Sequence, residues 1–224
     1  KIATINAAKH FRLEDKIGCI APGRYADIVL LKDLHKIKPW MVIKDGRVVA
    51  DENGARPCPQ KAYPEKLLDT VHISPAFSAA DFRLKAEGKR AKCRIISMIP
   101  DQIINDEIQE WMEVDHGEIH ADVSRDILKL SVVERYGKNG RVSTALVKGF
   151  GLKSGALASS VSHDHHNIVV VGTNDEDMAV AVKELQRLHG GFASAKDGQV
   201  VDSLALPLGG LMSLLPASEV MERM

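Results

Sequence analysis

The densest group of reactive side chains is Ser162-His163-Asp164-His165-His166-Asn167. Three imidazoles and a carboxylate in four residues supply both metal ligands and acid/base groups. In an extended segment alternate side chains share a side, so His163 would pair with His165 and Asp164 with His166. A His-x-His pair of that kind binds a divalent cation when further ligands converge from elsewhere. The same residues also suit a solvated loop at the entry to a buried strand, with imidazoles hydrogen-bonded to backbone. On the residues alone both readings stand.

Asp115-His116-Gly117-Glu118-Ile119-His120-Ala121-Asp122 is a second titratable cluster, and it reads best as a polar turn between two strands. Gly149-Phe150-Gly151-Leu152-Lys153-Ser154-Gly155 has the glycines of a phosphate loop but neither the Walker spacing nor a clear following helix. Tight turns account for those glycines. Cys19, Cys58 and Cys93 are odd in number and far apart, as expected of reduced thiols in a cytosolic protein. His10, His35, His72 and His189 are isolated.

The elements that must position the histidines follow from periodicity. His166 to Gly172 reads as a buried strand leading into a helix from Asp175 to about His189. Thr173 and Glu176 suggest a capping box, and three consecutive acids favour the positive end of the helix dipole. Met178, Ala181, Val182, Leu185 and Leu188 make the apolar face, with Lys183, Glu184 and Arg187 opposite; Gly190-Gly191 stops the helix. Lys92–Ile99 and Ile127–Val133 read as strands, and Arg135–Gly140 as a turn. Asp45-Gly46 and Asp197-Gly198 each predict a hairpin, because a type I′ turn needs positive φ at both central residues. Asp27–Leu31 is a further strand, and 206–224 carries no clear pattern. The opening KIATINAAKHF reads as a helix in progress, with Ile2, Ile5, Ala8 and Phe11 on one face, as in the tail of something longer.

Pro57, Pro59 and Pro64 mark residues 53–66 as an extended linker between a segment 1–52 and a domain 67–224. Across the 224 residues, 30 Lys+Arg balance 30 Asp+Glu, which argues against a nucleic-acid or membrane-surface binder. No apolar run approaches the roughly 20 residues of a membrane helix. Aromatic residues are 4% of the chain, so its core must be aliphatic.

Longer words carry a family resemblance. Ala3-Thr4-Ile5-Asn6-Ala7-Ala8-Lys9 and Gly18-Cys19-Ile20-Ala21-Pro22-Gly23-Arg24-Tyr25-Ala26-Asp27-Ile28-Val29 resemble the ending shared by many amidohydrolases, a last barrel helix and the return to a small β-sandwich. Asp126–Leu130, Val132–Arg135, Val147–Leu152, Ser159–Asn167, Val170–Met178 and Leu206–Ser213 resemble the C-terminal domain of bacterial adenine deaminases. The fold implied is α/β (α+β), a short β-rich segment from an amidohydrolase β-sandwich followed by a separate α/β C-terminal domain.

The resemblance implies hydrolysis of adenine to hypoxanthine and ammonia, with a divalent metal (manganese, iron or zinc) held upstream of Lys1 and no catalytic residue in this chain. The family's H-D-x-H-N word falls on His163, Asp164, His166 and Asn167, which become the substrate-pocket candidates; His165 occupies the free position. Implied partners are the rest of the deaminase chain, adenine and further copies in a homo-oligomer, in the cytoplasm, with neither nucleic acid nor membrane. Two other readings compete. One is a non-catalytic oligomerisation or scaffold module. The other is an independent metal site on His163, His165 or His166 with Asp122 or His120.

Overall fold

Two Asp-Gly pairs set the hairpins. Asp45 and Gly46 have φ of 50° and 75°, and Asp197 and Gly198 have 53° and 75°, the left-handed values a two-residue type I′ turn demands. The computed structural model describes residues 1–56 and 62–224, so Pro57, Cys58 and Pro59 of the expected linker lie outside the described residues. The chain divides into two compact units, 1–61 and 62–224.

In the first unit β1 (Ile28–Leu31), β2 (Pro39–Lys44), β3 (Arg47–Asp51) and β4 (Gly54–Ala55) form an antiparallel sheet in that order. Gly54–Ala55 pairs with β3, so the sheet runs into the stretch that composition marks as linker. Asp27, from the first resembled word, accepts the Asp45 N–H and the Lys44 ammonium, each at 2.9 Å. These bonds tie the start of β1 to the hairpin tip; the Asp45 amide first, then Lys44, holds the Asp27 carboxyl below its usual range. The expected N-terminal helix is broken. Thr4, at φ −134° and ψ −108°, interrupts the π-turn (Ile2–Asn6) that precedes the single turn α1 (Ala7–His10). Ile2 and Phe11 therefore face solvent and only Ala8 is buried.

The second unit contains β5 (Leu84–Lys85), β6 (Arg90–Met98), β7 (Asn105–Glu113), β8 (Glu118–Ile119), β9 (Ile127–Val133), β10 (Val142–Lys148), β11 (Ala156–Ser159), β12 (Ile168–Gly172), β13 (Gly191–Lys196) and β14 (Gln199–Ala205). Eight of them make one sheet in the order β14-β13-β11-β12-β9-β10-β6-β7, while β5 pairs with β8. Every ladder is antiparallel except β6–β10. With few helices beside much sheet, the chain is a mixed α/β protein of the α+β kind.

One long helix, α2 (Asp175–Arg187), covers one face of this sheet. Met178, Ala181, Val182 and Leu185 pack onto Ala156, Ala158, Ile168, Val170, Ala193 and Ala195. The alanines alternate with outward residues along β11 and β13, so the period of two puts small side chains under the helix and lets it lie close. The cap differs from expectation by one residue. Asn174, not Thr173, accepts the Asp177 N–H at 2.7 Å, while the Thr173 hydroxyl donates to the Gly155 carbonyl at 3.2 Å. Glu184, expected on the solvent face, is buried between the Arg187 guanidinium and the Ser203 hydroxyl of β14. A short helix, α3 (Ala217–Arg223), follows near the end. Among the described residues no helix is long and apolar enough to cross a membrane. Cys19 and Cys93 are free thiols, and burial pushes the Cys93 thiol up.

Candidate functional site

The histidine segment is a turn, not an extended strand. The His166 N–H closes onto the Ser162 carbonyl at 2.8 Å, and His166 itself takes a left-handed φ of 49°. The strand expected from His166 starts only at Ile168, so the alternation that would align His163 with His165 is absent. The Asn167 N–H donates to His165 Nδ1 at 3.0 Å, leaving Nε2 to carry the ring proton toward Ser162 Oγ at 3.4 Å. His165 thus serves the turn.

The four pocket candidates part ways. His163 and Asp164 stand on the outer rim, each side chain 96% exposed, with Nε2 and Oδ1 3.5 Å apart in open solvent. A polar contact so exposed contributes almost nothing to stability. The His166 ring turns inward, and its Nδ1 is buried without a hydrogen-bond partner among the described residues. Asn167 Oδ1 accepts the Arg135 N–H at 3.4 Å and so faces the fold. Of these four candidates, two stand outward and two turn toward the fold.

Beneath it lies Arg135, which composition does not single out. Two residues beyond β9, this arginine is 2% exposed. Its guanidinium donates to the His166 carbonyl through Nε, to the Gly209 carbonyl at 3.0 Å and to Thr70 Oγ1 at 3.4 Å. Among the described residues no carboxylate pairs with it. Glu134, next in sequence, instead accepts four backbone N–H groups from Tyr136, Lys138, Asn139 and Gly140. Burial opposes ionisation of Glu134, but those four amides outweigh it and hold its carboxyl below the ordinary value. The Gly209-Gly210 pair has φ of 67° and 73°, and a Cβ on Gly210 would collide with Arg135 Nη1.

A groove of about 700 Å³ lies on the sheet face away from α2, lined by Met98, Phe150, Leu157, Val161 and Phe192 among others. Val161 and Ser162 at the root of the turn border it, whereas none of His163 to Asn167 is among its lining residues.

The second cluster is held by its own charges. The Asp122 carboxylate accepts Ser124 Oγ at 2.5 Å, Ser124 N–H at 3.1 Å, Arg125 N–H at 3.3 Å and Arg125 Nε at 2.7 Å. The Ser124 hydroxyl first, then Arg125, brings the Asp122 carboxyl down to about 2. Arg125 also reaches Glu110 at 3.3 Å, and Lys148 meets the same Glu110 at 2.6 Å. Asp115 to Glu118 form the expected turn, with His116 and Gly117 at φ of 48° and 81°. A cleft of about 410 Å³ beside it is lined by Arg90, Trp111, His120, Asp122 and Arg125.

These facts bear on a metal site. Among the described residues no group of three or more His, Cys, Asp or Glu side chains could hold an ion. Asp122 is saturated by donors, and His163 and His165 sit on a turn rather than a strand. Among the described residues, His163, His165 or His166 with Asp122 or His120 are not brought together as a group of three or more ligands.

Two family models match the chain. The family model for the adenine deaminase C-terminal domain matches residues 102–224. The chain belongs to the adenine deaminase C-terminal domain family. At its other end the amidohydrolase family model matches residues 1–50. An adenine deaminase of Desulforamulus reducens is 52% identical over 226 residues, which cover 100% of this chain and 38% of that protein. One from Dehalococcoides mccartyi is 41% identical over 220 residues, 98% of this chain and 38% of the relative. Adenine deaminase 1 of Carboxydothermus hydrogenoformans is 42% identical over 214 residues, 95% and 35% respectively. The chain therefore spans little more than a third of the curated relatives it matches. Within the family frame, the matched words acquire structural jobs: Leu206–Ser213 cradles Arg135, and Ser159–Asn167 hangs from it.

Proposed function

We propose that this chain is the C-terminal part of a metal-dependent adenine deaminase, converting adenine and water to hypoxanthine and ammonia. The supporting observation is an end-to-end match to adenine deaminases at up to 52% identity, with an amidohydrolase match at residues 1–50. The divalent metal (manganese, iron or zinc) belongs to the rest of the enzyme, and the segment by itself has no deaminase activity. A cytoplasmic homo-oligomer acting on free adenine, with neither nucleic acid nor membrane as partner, completes the reading.

In this reading the turn Ser162–Asn167 helps to form the substrate pocket. A purine offers ring acceptors and an exocyclic amino donor, and the exposed His163 and Asp164 side chains carry complementary groups. His166 and Asn167 act from behind, shaping the turn. Replacing His163 and His166 with Ala in the full-length polypeptide should lower kcat/KM for adenine by tenfold or more. A change below about twofold would remove the turn from the pocket.

A second reading, a non-catalytic oligomerisation or scaffold module, draws on the sheet face away from α2. Leu157 and Phe192 there are 42% and 37% exposed, more apolar surface than a finished interior leaves open. Its mark is a full-length polypeptide whose turnover is indifferent to the histidine turn but whose assembly is lost with this segment.

A further inference from the structure

We infer that Arg135 and Tyr136 are positioning residues that set the backbone of the histidine turn; the link to turnover rests on the pocket reading above. Two adjacent side chains capture two adjacent carbonyls. Tyr136 Oη donates to the His165 carbonyl at 2.8 Å, and Arg135 Nε donates to the His166 carbonyl. Arg135 packs its guanidinium over the Tyr136 ring at 5.1 Å, so each side chain also fixes the other. Two further guanidinium bonds, from Nη1 and Nη2, join the turn to Thr70 and Gly209, two segments distant in sequence.

The arrangement is unusual in its chemistry. A buried guanidinium ordinarily finds a carboxylate. Here the neighbouring acid, Glu134, is spent on four backbone amides, and the arginine is compensated by the carbonyl dipoles of the turn and of Gly209. A planar fork with donors in several fixed directions satisfies these acceptors at once; an ammonium lacks that geometry. Ser160 completes the anchorage, donating to the Gly210 carbonyl at 2.6 Å and accepting the Gly191 N–H at 2.7 Å. Backbone order is therefore concentrated under a turn whose His163 and Asp164 side chains stand exposed to solvent. That is the pattern of a preorganised recognition loop, in which the ordering cost is met before the ligand arrives.

The test separates the backbone claim from the pocket reading. Amide hydrogen exchange on the 224-residue chain should rise at residues 162–167 by about fivefold in Tyr136→Phe, the loss of one neutral hydrogen bond. It should rise by tenfold or more in Arg135→Lys. Exchange in the β11 and β13 strands should stay within twofold of the parent. Unchanged exchange at 162–167 in both variants overturns the inference. If Arg135→Lys loosens the whole unit, Tyr136→Phe decides alone: a local rise supports the inference and none refutes it. In the full-length polypeptide, both substitutions should lower kcat/KM for adenine, and their effect should vanish in the His163→Ala/His166→Ala background. A loss that persists undiminished there refutes action through the turn. If the double alanine variant itself changes turnover less than twofold, the pocket reading fails while the exchange result still decides the positioning.

Discussion

Lys129 on β9 and Asp175 at the start of α2 form the most buried ion pair described, with side chains 2% and 15% exposed and Nζ–Oδ1 at 2.7 Å. Removing one partner of such a pair strands the other, and which one is stranded matters. Asp175→Asn keeps shape but leaves the fully enclosed ammonium without a countercharge. With slight solvent access at Asp175, the expected cost is the lower end of the usual range, about 3 kcal/mol. Lys129→Met instead removes the deep charge and leaves a carboxylate near solvent in the first turn of α2, where the helix dipole favours it. The expected cost is below about 1 kcal/mol. Urea denaturation followed by circular dichroism measures both, provided the slope m is unchanged. In thermal melts the Asn variant should lose roughly 6–12 °C and the Met variant no more than about 4 °C. Equal losses, or a larger loss for Lys129→Met, would refute the reasoning, since the pair would then be a net attraction rather than a compensated liability.

Asp122, whose carboxyl is brought down to about 2 from 3.8, should stabilise the fold at neutral pH and lose that contribution as pH falls from about 4 through 2. Because Asp122 is about a third exposed, Asp122→Asn is expected to cost only about 1 kcal/mol at pH 7, and the gap between parent and variant should close below pH 2 in acid titrations. Gly210→Ala should destabilise the second unit by at least about 2 kcal/mol, through a strained φ and the clash with Arg135; a stability within about 0.5 kcal/mol of the parent would mean the cradle yields. Phe82, fully buried against Phe77 at a ring-centroid distance of 5.5 Å, should cost about 3–5 kcal/mol when cut to Ala, read by the same denaturation.

Local chemistry made part of this fold legible. The Asp-Gly hairpins and the apolar runs of β9 and β12 follow from turn sterics and β-branched composition, and the face of α2 from a period of 3.6. Where sequence reading falls short, distant partners decide. The expected cap Thr173 bonds Gly155 across the fold, and Asn174 caps the helix instead. The strand β7 hides among acids because, at a sheet edge, its Glu107 and Glu110 answer Arg94, Lys148 and Arg125 rather than a core. Most telling is the histidine cluster. Its residues promise a strand or a metal pair, yet the turn follows from Arg135 and Tyr136, about thirty positions earlier in the chain, and nothing in the cluster announces them.

The strand order of the large sheet has a bearing on biosynthesis. Its consecutive-strand hairpins, β6–β7, β9–β10, β11–β12 and β13–β14, can each close as soon as both strands leave the ribosome. The joins between them cannot. Strand β6 waits with one edge open until β10 arrives parallel to it, and β9 keeps an open edge until β12 is made. Pairings across such gaps close slowly and leave apolar edges unpaired in the meantime. A nascent chain of this protein thus passes through an interval in which β9, carrying Leu128 and the charged Lys129, has neither its β12 neighbour nor the α2 acid that balances it. Codon tempo or chaperone occupancy between β10 and α2 should set the yield of folded protein more than events at either end.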